Sequence, residues 1–236
     1  MSRIGITERG DAALNTAWQN WVGDLLPAIL ITKDPVKLLN KIKETKTLNG
    51  SNPNIIVHCG ITGHGNTVVE PNVPSVEESL EGYKQLIRLL GKERVILRLD
   101  PVFPSQKGLD RAAKIVTQHL DTRIRMAFLQ AYPHVKERFK KAKLTQPPYK
   151  FYAPLEERKR IHKELERIAG KRIEICGEPG LKCQGCISPI DCKIFNVIPY
   201  HCISKQRKHC ACLAQKKELL NNKNRCAHNC IYCYWK

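Results

Sequence analysis

Short apolar runs rich in β-branched residues alternate along this chain with longer segments in which apolar residues recur at the spacing of a helix. The apolar runs predict six strands, at residues 3–7, 28–32, 55–61, 94–99, 123–129 and 172–176. The longer segments predict helices at residues 13–25, 36–43, 76–90, 108–119, 134–143 and 155–169. Because this alternation is typical of a parallel sheet with crossover helices, we expect an α/β fold, a partial (β/α)6 TIM-like barrel. A doubly wound open sheet is the structural alternative.

The regular pattern stops near residue 176, and cysteine, glycine and proline dominate the remainder of the chain. We therefore expect residues 1–176 to form the barrel. Residues 177–236 are expected to form an irregular, cysteine-rich iron–sulfur segment that packs at the barrel mouth and is held by metal. No run of about 18 apolar residues is present, so no membrane span is expected. The first ten residues carry charges where an export signal would be apolar, which predicts a cytoplasmic protein.

Polar residues collect where the predicted strands end, and ligands of parallel α/β folds bind at the carboxyl ends of the strands. We expect these residues to contact cofactor or substrate: Thr62, Gly63, His64, Gly65, Arg98, Asp100 and Glu178. Each set also has a structural alternative. Residues 62–65 suit a tight turn, Arg98 and Asp100 suit a mutual ion pair, and Glu178 suits a loop cap.

Cysteine is the most informative residue type in the chain. There are 11 cysteines, and all but Cys59 follow residue 175. Their odd number and their clustering argue against a disulfide scaffold and favour metal ligands. The last three form Cys226-x3-Cys230-x2-Cys233, with the aromatic Tyr232 before the third, and we expect Tyr232 to contact the cofactor. Three thiolates at this spacing, which resembles that of radical S-adenosylmethionine (SAM) enzymes, hold three irons of a 4Fe–4S cluster and leave the fourth open to SAM. One corner of a zinc site is the alternative.

Seven further cysteines precede this C-terminal triplet. They are Cys176, Cys183, Cys186, Cys192, Cys202, Cys210 and Cys212. Because a fully ligated 4Fe–4S cluster takes four protein ligands, seven cysteines permit one auxiliary cluster with spares, or two with a ligand such as His201 or His209. The spacing from Cys183 to Cys192 resembles part of the SPASM auxiliary-cluster pattern, although the gap that follows is longer. A structural zinc knuckle is the alternative.

The formal net charge is +18, and the basic residues are spread along the chain. Solubility and compensation of cluster thiolates explain such an excess without a partner. The functional interpretation is a polyanionic partner, either DNA, RNA or a nucleotide.

Several short motifs together resemble an uncharacterised radical-SAM-like family whose cluster cysteines lie at the C terminus. The similar segments begin at Thr32, Thr62, Glu70, Arg98, Cys176, Cys210 and Cys226. The resemblance runs nearly the whole length of the chain and implies a partial barrel and SAM chemistry, but no substrate. Two departures are a shorter chain and, after the first predicted strand, the sequence Thr7-Glu8-Arg9-Gly10-Asp11 in place of paired arginines.

We therefore expect a radical SAM enzyme that generates a 5′-deoxyadenosyl radical and takes electrons from a reductant such as flavodoxin or ferredoxin. The net charge favours a nucleic acid or nucleotide as substrate, whereas the SPASM-like cysteines favour a peptide. No catalytic residue is assigned. Two other classes stay open: a zinc-stapled nucleic-acid-binding module without catalysis, and an iron–sulfur electron-transfer protein.

Overall fold

The computed structural model describes residues 3–22, 26–49, 54–130, 132–145, 151–199, 210–214, 216–220 and 226–235. The strands of the described residues are β1 Ile4–Ile6, β2 Ala28–Thr32, β3 Ile55–Gly60, β4 Val95–Val102, β5 Arg123–Phe128, β6 Glu174–Ile175 and β7 Lys216–Glu218. The helices of the same residues are α1 Gln19–Val22, α2 Pro35–Asn49, α3 Val76–Leu90, α4 Gln106–Val116, α5 Pro133–Lys141, α6 Leu155–Ala169 and α7 Pro189–Phe195.

All seven strands are parallel and form one curled sheet, a half-barrel with the order β6-β5-β4-β3-β2-β1-β7. The order of β1 to β6 follows the chain without the reversal that defines a doubly wound sheet. The last strand, β7, pairs with β1 through the register Ile4 to Lys216 and so forms one edge. The segment after residue 176 therefore contributes a strand to the sheet, and the predicted division of the chain at that residue stays a prediction.

The alternation of side chains along each strand separates two cores. On the outer face, residues such as Leu30, Val57 and Leu97 pack with α2, α3, α4 and α6 in the main apolar cluster. On the inner face, Ile29, Ile56 and Ile96 pack against the cysteine-rich segment and α7. The concave side of the half-barrel is thus filled by residues that follow β6.

The six predicted strands are all present, and α3 and α6 have the predicted bounds. The predicted helix at 13–25 is reduced, within the described residues, to Gln19–Val22. Asp11 explains part of this change, because its carboxylate accepts a hydrogen bond from the Ala13 amide and fixes a turn there. Neither α7 nor β7 was predicted, since the segment after residue 177 was expected to be irregular. Within the described part of the chain, no helix has the length and apolar character needed to cross a membrane.

Candidate metal and cofactor site

The carboxyl ends of all seven strands open on one cavity of about 510 Å³. Each strand, or the residue just after it, supplies part of the wall: Glu8, Thr32, Gly60, Asp100, Phe128, Cys176 and Glu218. The prediction that polar and thiol groups meet at this end of the sheet is therefore supported for one large site.

The three cysteines of the C-terminal triplet, Cys226, Cys230 and Cys233, all line this cavity. Cys230 is buried, whereas the other two are half-buried. Burial raises the pKa of the Cys230 thiol to about 12, and burial also raises the pKa of Cys226. A bound cation would favour the thiolate form that metal coordination requires.

The triplet loop is fixed to the segment that follows β3. The Ile231 amide donates to the Val69 carbonyl at 3.1 Å. The Asn72 side chain donates to the Ala227 carbonyl at 2.7 Å, and the Nδ1 of His228 donates to the Asn72 carbonyl at 2.8 Å. The loop conformation is thus held by protein contacts as well as by any metal.

His228 also joins the loop to the residues after β1 and β2. Its Nε2 donates to the Asp11 carboxylate at 2.9 Å, and the same carboxylate accepts from the Thr32 hydroxyl at 2.7 Å and from the Lys33 amide at 2.6 Å. Burial opposes both charges, but their mutual attraction raises the pKa of His228 and lowers the pKa of Asp11. His228 therefore positions the loop and is not directed at a metal.

Tyr232 belongs to a second buried network of the triplet loop. Its hydroxyl donates to Glu70, and the Lys33 ammonium lies 2.9 Å from the Glu70 carboxylate and 5.1 Å from the Tyr232 ring centroid. Burial alone would raise the pKa of Glu70, but the charge of Lys33 lowers it; burial and the Glu70 charge raise the pKa of Tyr232. Lys33 and Glu70 belong to the sequence motifs, but their contacts with each other and with Tyr232 were not predicted.

Four more cysteines line the same cavity: Cys176, Cys186, Cys210 and Cys212. The Sγ atoms of Cys176 and Cys186 are 3.7 Å apart, and the Cys186 amide donates to the Cys212 Sγ at 3.1 Å. Cys176, Cys186 and Cys212 pack with the inner face of the sheet, whereas Cys230 packs in a separate apolar cluster. The cavity therefore holds two groups of thiols from different parts of the fold.

Arg98 connects the sheet to the second thiol group. Its guanidinium donates to the Cys186 Sγ at 3.3 Å and forms an ion pair with Asp100 at 2.6 Å. Hydrogen bonds from the thiols of Cys176 and Cys212, and then the Arg98 charge, hold the pKa of Cys186 well below its usual value. Glu8, Cys186 and Cys212 form a group whose candidate ligand atoms lie within 4.8 Å of one another. The alternative interpretation of Arg98 and Asp100 as an ion pair is thus correct, and both also line the cavity.

A buried ionic layer lies on the inner face of the sheet, next to the four cysteines. Arg125 is fully buried and donates to Glu174 at 2.8 Å, and to the Cys186 carbonyl at 3.3 Å. The His58 ring lies 3.5 Å from both the Arg98 and the Arg125 guanidinium groups. Burial and then the Arg125 charge hold the pKa of His58 well below its usual value, so the ring is neutral. This layer was not predicted, although Arg125 interrupts a predicted apolar strand.

Residues 62–65 lie outside the large cavity. Thr62 and His64 line a separate small cavity, in which the Arg111 guanidinium is 3.3 Å from the His64 Nε2. Gly63 lies in the same turn, and Gly65 lies so close to Pro74 that a Cβ would be 1.9 Å from its carbonyl oxygen. A direct contact of these residues with SAM stays a prediction.

The remaining predicted residues lie beside the cavity but do not line it in the described part of the chain. Glu178 accepts from the Phe128 amide at 2.9 Å and pairs with Arg158 at 3.1 Å, as a loop cap would. The Cys183 thiol exchanges hydrogen bonds with the backbone of Glu178, and Cys192 is buried on α7. Cys202, also predicted as a ligand, lies outside the described residues, as do His201 and His209.

The chemistry of the site is that of soft metals, since thiolates are the ligands that iron–sulfur clusters and zinc prefer. No curated protein matches the chain at a significant level. A family model described as a domain of unknown function, DUF1848, matches residues 24–235. The match includes both thiol groups and six of the seven strands, all but β1. The chain therefore belongs to the DUF1848 family, a family of unknown function.

Proposed function

We propose that the protein is a radical SAM enzyme, with a 4Fe–4S cluster held by Cys226, Cys230 and Cys233. One observation carries this proposal: all three thiols of the triplet line the cavity on which the strand ends open. Three protein ligands leave one iron of the cluster without a thiolate, and a cavity of about 510 Å³ beside it has room for a cofactor and a substrate group.

The sheet order supports the finer description of the fold as a partial (β/α) TIM-like barrel. β7 lies beside β1 at one edge of the sheet. The seven strands are therefore arranged like those of a (β/α) barrel whose first strand is β7 and whose next six are β1 to β6. The triplet then occupies the first loop at the carboxyl ends of the strands. The C-terminal triplet can therefore occupy the same place in the barrel as a cluster motif near the N terminus of other radical SAM enzymes.

The three cysteines of the triplet are suitable ligands for a 4Fe–4S cluster. When bound with SAM, the cluster supplies the electron that cleaves the sulfonium and produces a 5′-deoxyadenosyl radical for hydrogen abstraction. The chain's own residues hold the triplet loop through Asp11 and Glu70. Arg98, Asp100 and Gln130 provide charged and polar groups in the same wall for the amine, carboxylate and ribose of SAM.

The direct test is the formation of 5′-deoxyadenosine from SAM by reconstituted, chemically reduced protein. We expect the product with the wild-type chain and none with Cys230→Ser. Cys59→Ala is the matched control, because Cys59 is fully buried in the outer core and remote in sequence from the triplet. Protein that keeps its cluster and forms no 5′-deoxyadenosine would contradict the proposal.

The two rival functions give different results in the same preparation. A zinc-stapled binding module would be colourless and would contain zinc without sulfide. An electron-transfer protein would be brown, but its spectrum would not respond to SAM, because every iron would have a protein ligand.

The rim of the cavity favours a nucleic acid or nucleotide as substrate. Tyr132, Tyr234 and Trp235 line the opening, with ring centroids 6.4 Å apart for the first pair and 5.3 Å apart for the second. Tyr234 and Trp235 are 46% and 38% exposed, and the Arg9 guanidinium lies 6.0 Å from the Trp235 ring centroid. Successive aromatic rings of this kind bind bases by stacking.

Basic residues lie beside this aromatic rim. Arg138 on α5 donates to the carbonyls of Cys233 and Trp235, at 2.7 and 2.9 Å, which places α5 against the opening. Lys136 and Lys140 on the same helix are exposed. Together with the net charge of +18, they provide partners for backbone phosphates.

Binding of a labelled single-stranded oligonucleotide at several salt concentrations tests this substrate class. We expect Lys136→Gln/Lys140→Gln to lower the affinity and to reduce the slope of log K against log salt by about 1. Lys114→Gln/Lys163→Gln, which changes exposed lysines of α4 and α6, is the control and should leave the slope unchanged. Equal effects of the two variants, or binding that does not depend on salt, would exclude this surface and favour a peptide substrate.

A further inference from the structure

We infer that Cys176, Cys186, Cys210 and Cys212 form the complete ligand set of a second metal centre, a 4Fe–4S cluster with four thiolate ligands. This centre uses none of the triplet cysteines, so the inference goes beyond the proposed function and stands if the triplet binds no SAM. It also selects four of the six described cysteines from Cys176 to Cys212, and Cys202 lies outside the described residues.

Three separate segments bring these thiols together. Cys176 follows β6, Cys186 lies in the loop before α7, and Cys210 and Cys212 precede β7. The Cys176 and Cys186 sulfurs are 3.7 Å apart, and the Cys212 sulfur accepts from the Cys186 amide at 3.1 Å. Convergence of side chains from three segments on one cavity wall is the arrangement expected of a preformed metal site.

Gly185 makes this convergence sterically feasible. A Cβ at this position would lie 2.4 Å from the Cys212 Cα and 2.5 Å from the Ala211 carbonyl oxygen. Any other residue would push the Cys186 loop away from the Cys212 segment.

The two other described cysteines of this region are directed elsewhere. The Cys183 sulfur donates to the Glu178 carbonyl at 3.1 Å and accepts from the Glu178 amide at 3.0 Å. Cys192 is fully buried on α7, and neither residue lines the large cavity. They therefore provide matched control positions within the same segment.

The four sulfurs do not all have the spacing of a tetrahedral zinc site. A tetrahedral zinc with four thiolates needs sulfurs that are all about 3.8 Å apart, given Zn–S bonds of about 2.3 Å. Among the described residues, the group of three candidate ligands within 4.8 Å of one another contains Glu8, Cys186 and Cys212, and not a third cysteine. The Cys176 and Cys186 sulfurs have the zinc spacing at 3.7 Å, but the four sulfurs together do not, so these four thiols do not enclose a single zinc ion. The Arg98 hydrogen bond to the Cys186 sulfur is of the kind that tunes iron–sulfur clusters.

Iron and sulfide analysis of anaerobically purified full-length variants tests this centre. With both sites filled we expect about eight irons per wild-type chain, and about four in Cys186→Ala/Cys212→Ala. Cys183→Ser and Cys192→Ala should retain the wild-type iron content. Loss of iron from the control variants equal to that from the double variant would overturn the assignment.

A triplet variant, Cys226→Ala/Cys230→Ala/Cys233→Ala, keeps the test decisive if the double variant does not fold. We expect this protein to retain about four irons per chain in a cluster whose spectrum does not respond to SAM. Absence of iron from it, or zinc in place of iron, would overturn the second centre. Failure of the proposed function is separate: it would appear as wild-type protein with iron but without SAM cleavage.

Discussion

Glu70 is the buried carboxylate that joins the triplet loop to the sheet. It accepts a hydrogen bond from Tyr232 and pairs with Lys33, and it is only 1% exposed. Replacement by Gln removes one charge of the pair and leaves the half-buried Lys33 ammonium without this counter-charge. We expect Glu70→Gln to lower the free energy of unfolding by about 3 kcal/mol, measured by denaturant titration.

Two further measurements give this prediction its control. Glu77→Gln, an exposed change on α3, should alter stability by less than about 0.5 kcal/mol. Glu70→Gln should also lose iron faster than wild type during dialysis against a chelator, because the loop is less firmly held. Unchanged stability in Glu70→Gln would show that the Lys33 charge is compensated elsewhere.

His64 gives a prediction about pH. Burial and then the Arg111 charge lower its pKa to about 4, so the folded protein holds His64 neutral while the unfolded chain protonates near its usual pKa of 6.5. The unfolded state therefore binds more protons between these values, and stability falls as the pH is lowered through that window. Between pH 7.5 and pH 5.5 this group should contribute a loss of roughly 1 kcal/mol.

The measurement compares wild type with His64→Gln, whose side chain is polar but does not titrate in this range. We expect the difference in unfolding free energy between the two proteins to change by that amount across the window. Parallel curves for the two proteins would mean that His64 is not held neutral in the folded state.

At the scale of single residues, sequence spacing was sufficient to identify the triplet as candidate ligands. It was insufficient for the other seven cysteines, because the convergence of Cys176, Cys186, Cys210 and Cys212 depends on how irregular segments fold over the sheet. The same holds for Asp11, which acts through His228, a residue 217 positions away.

At the scale of secondary-structure elements, local periodicity predicted the helices and strands whose own residues carry an apolar pattern or a capping motif. α3 begins at Val76 after the N-cap Ser75, which forms a capping box with Glu78, and its bounds match the prediction. β7, by contrast, has the sequence Lys-Lys-Glu and half-buried side chains, so no apolar pattern marks it as a strand. Its position comes from pairing with β1, which is a tertiary interaction.

Residues 226–235 line the cavity at the strand ends and are not part of a strand. Deletion of the last four residues removes Cys233, Tyr234 and Trp235 but leaves every described strand and helix intact. We therefore expect far-UV circular dichroism close to that of wild type, together with loss of SAM cleavage. Cys233→Ser separates loss of the thiol from loss of the aromatic rim, since it should abolish cleavage while retaining oligonucleotide binding. A truncated protein that still cleaves SAM would exclude Cys233 as a ligand.

At the scale of the whole molecule, the half-barrel places an apolar core on its outer face and its polar and thiol chemistry in one cavity at the strand ends. The sequence predicted this separation, because parallel α/β folds concentrate ligands at that end. It did not predict that β7 would form the edge beside β1, or which of the seven cysteines before the triplet would line the cavity.

The radical SAM assignment is best tested by the metal content of anaerobically purified protein, combined with electron paramagnetic resonance of the reduced protein with and without SAM. We predict at least about four irons with matching sulfide per chain and a spectrum that changes when SAM is added, since SAM would bind the open iron at the triplet. Zinc without sulfide, or an iron–sulfur spectrum that SAM leaves unchanged, would contradict the radical SAM assignment.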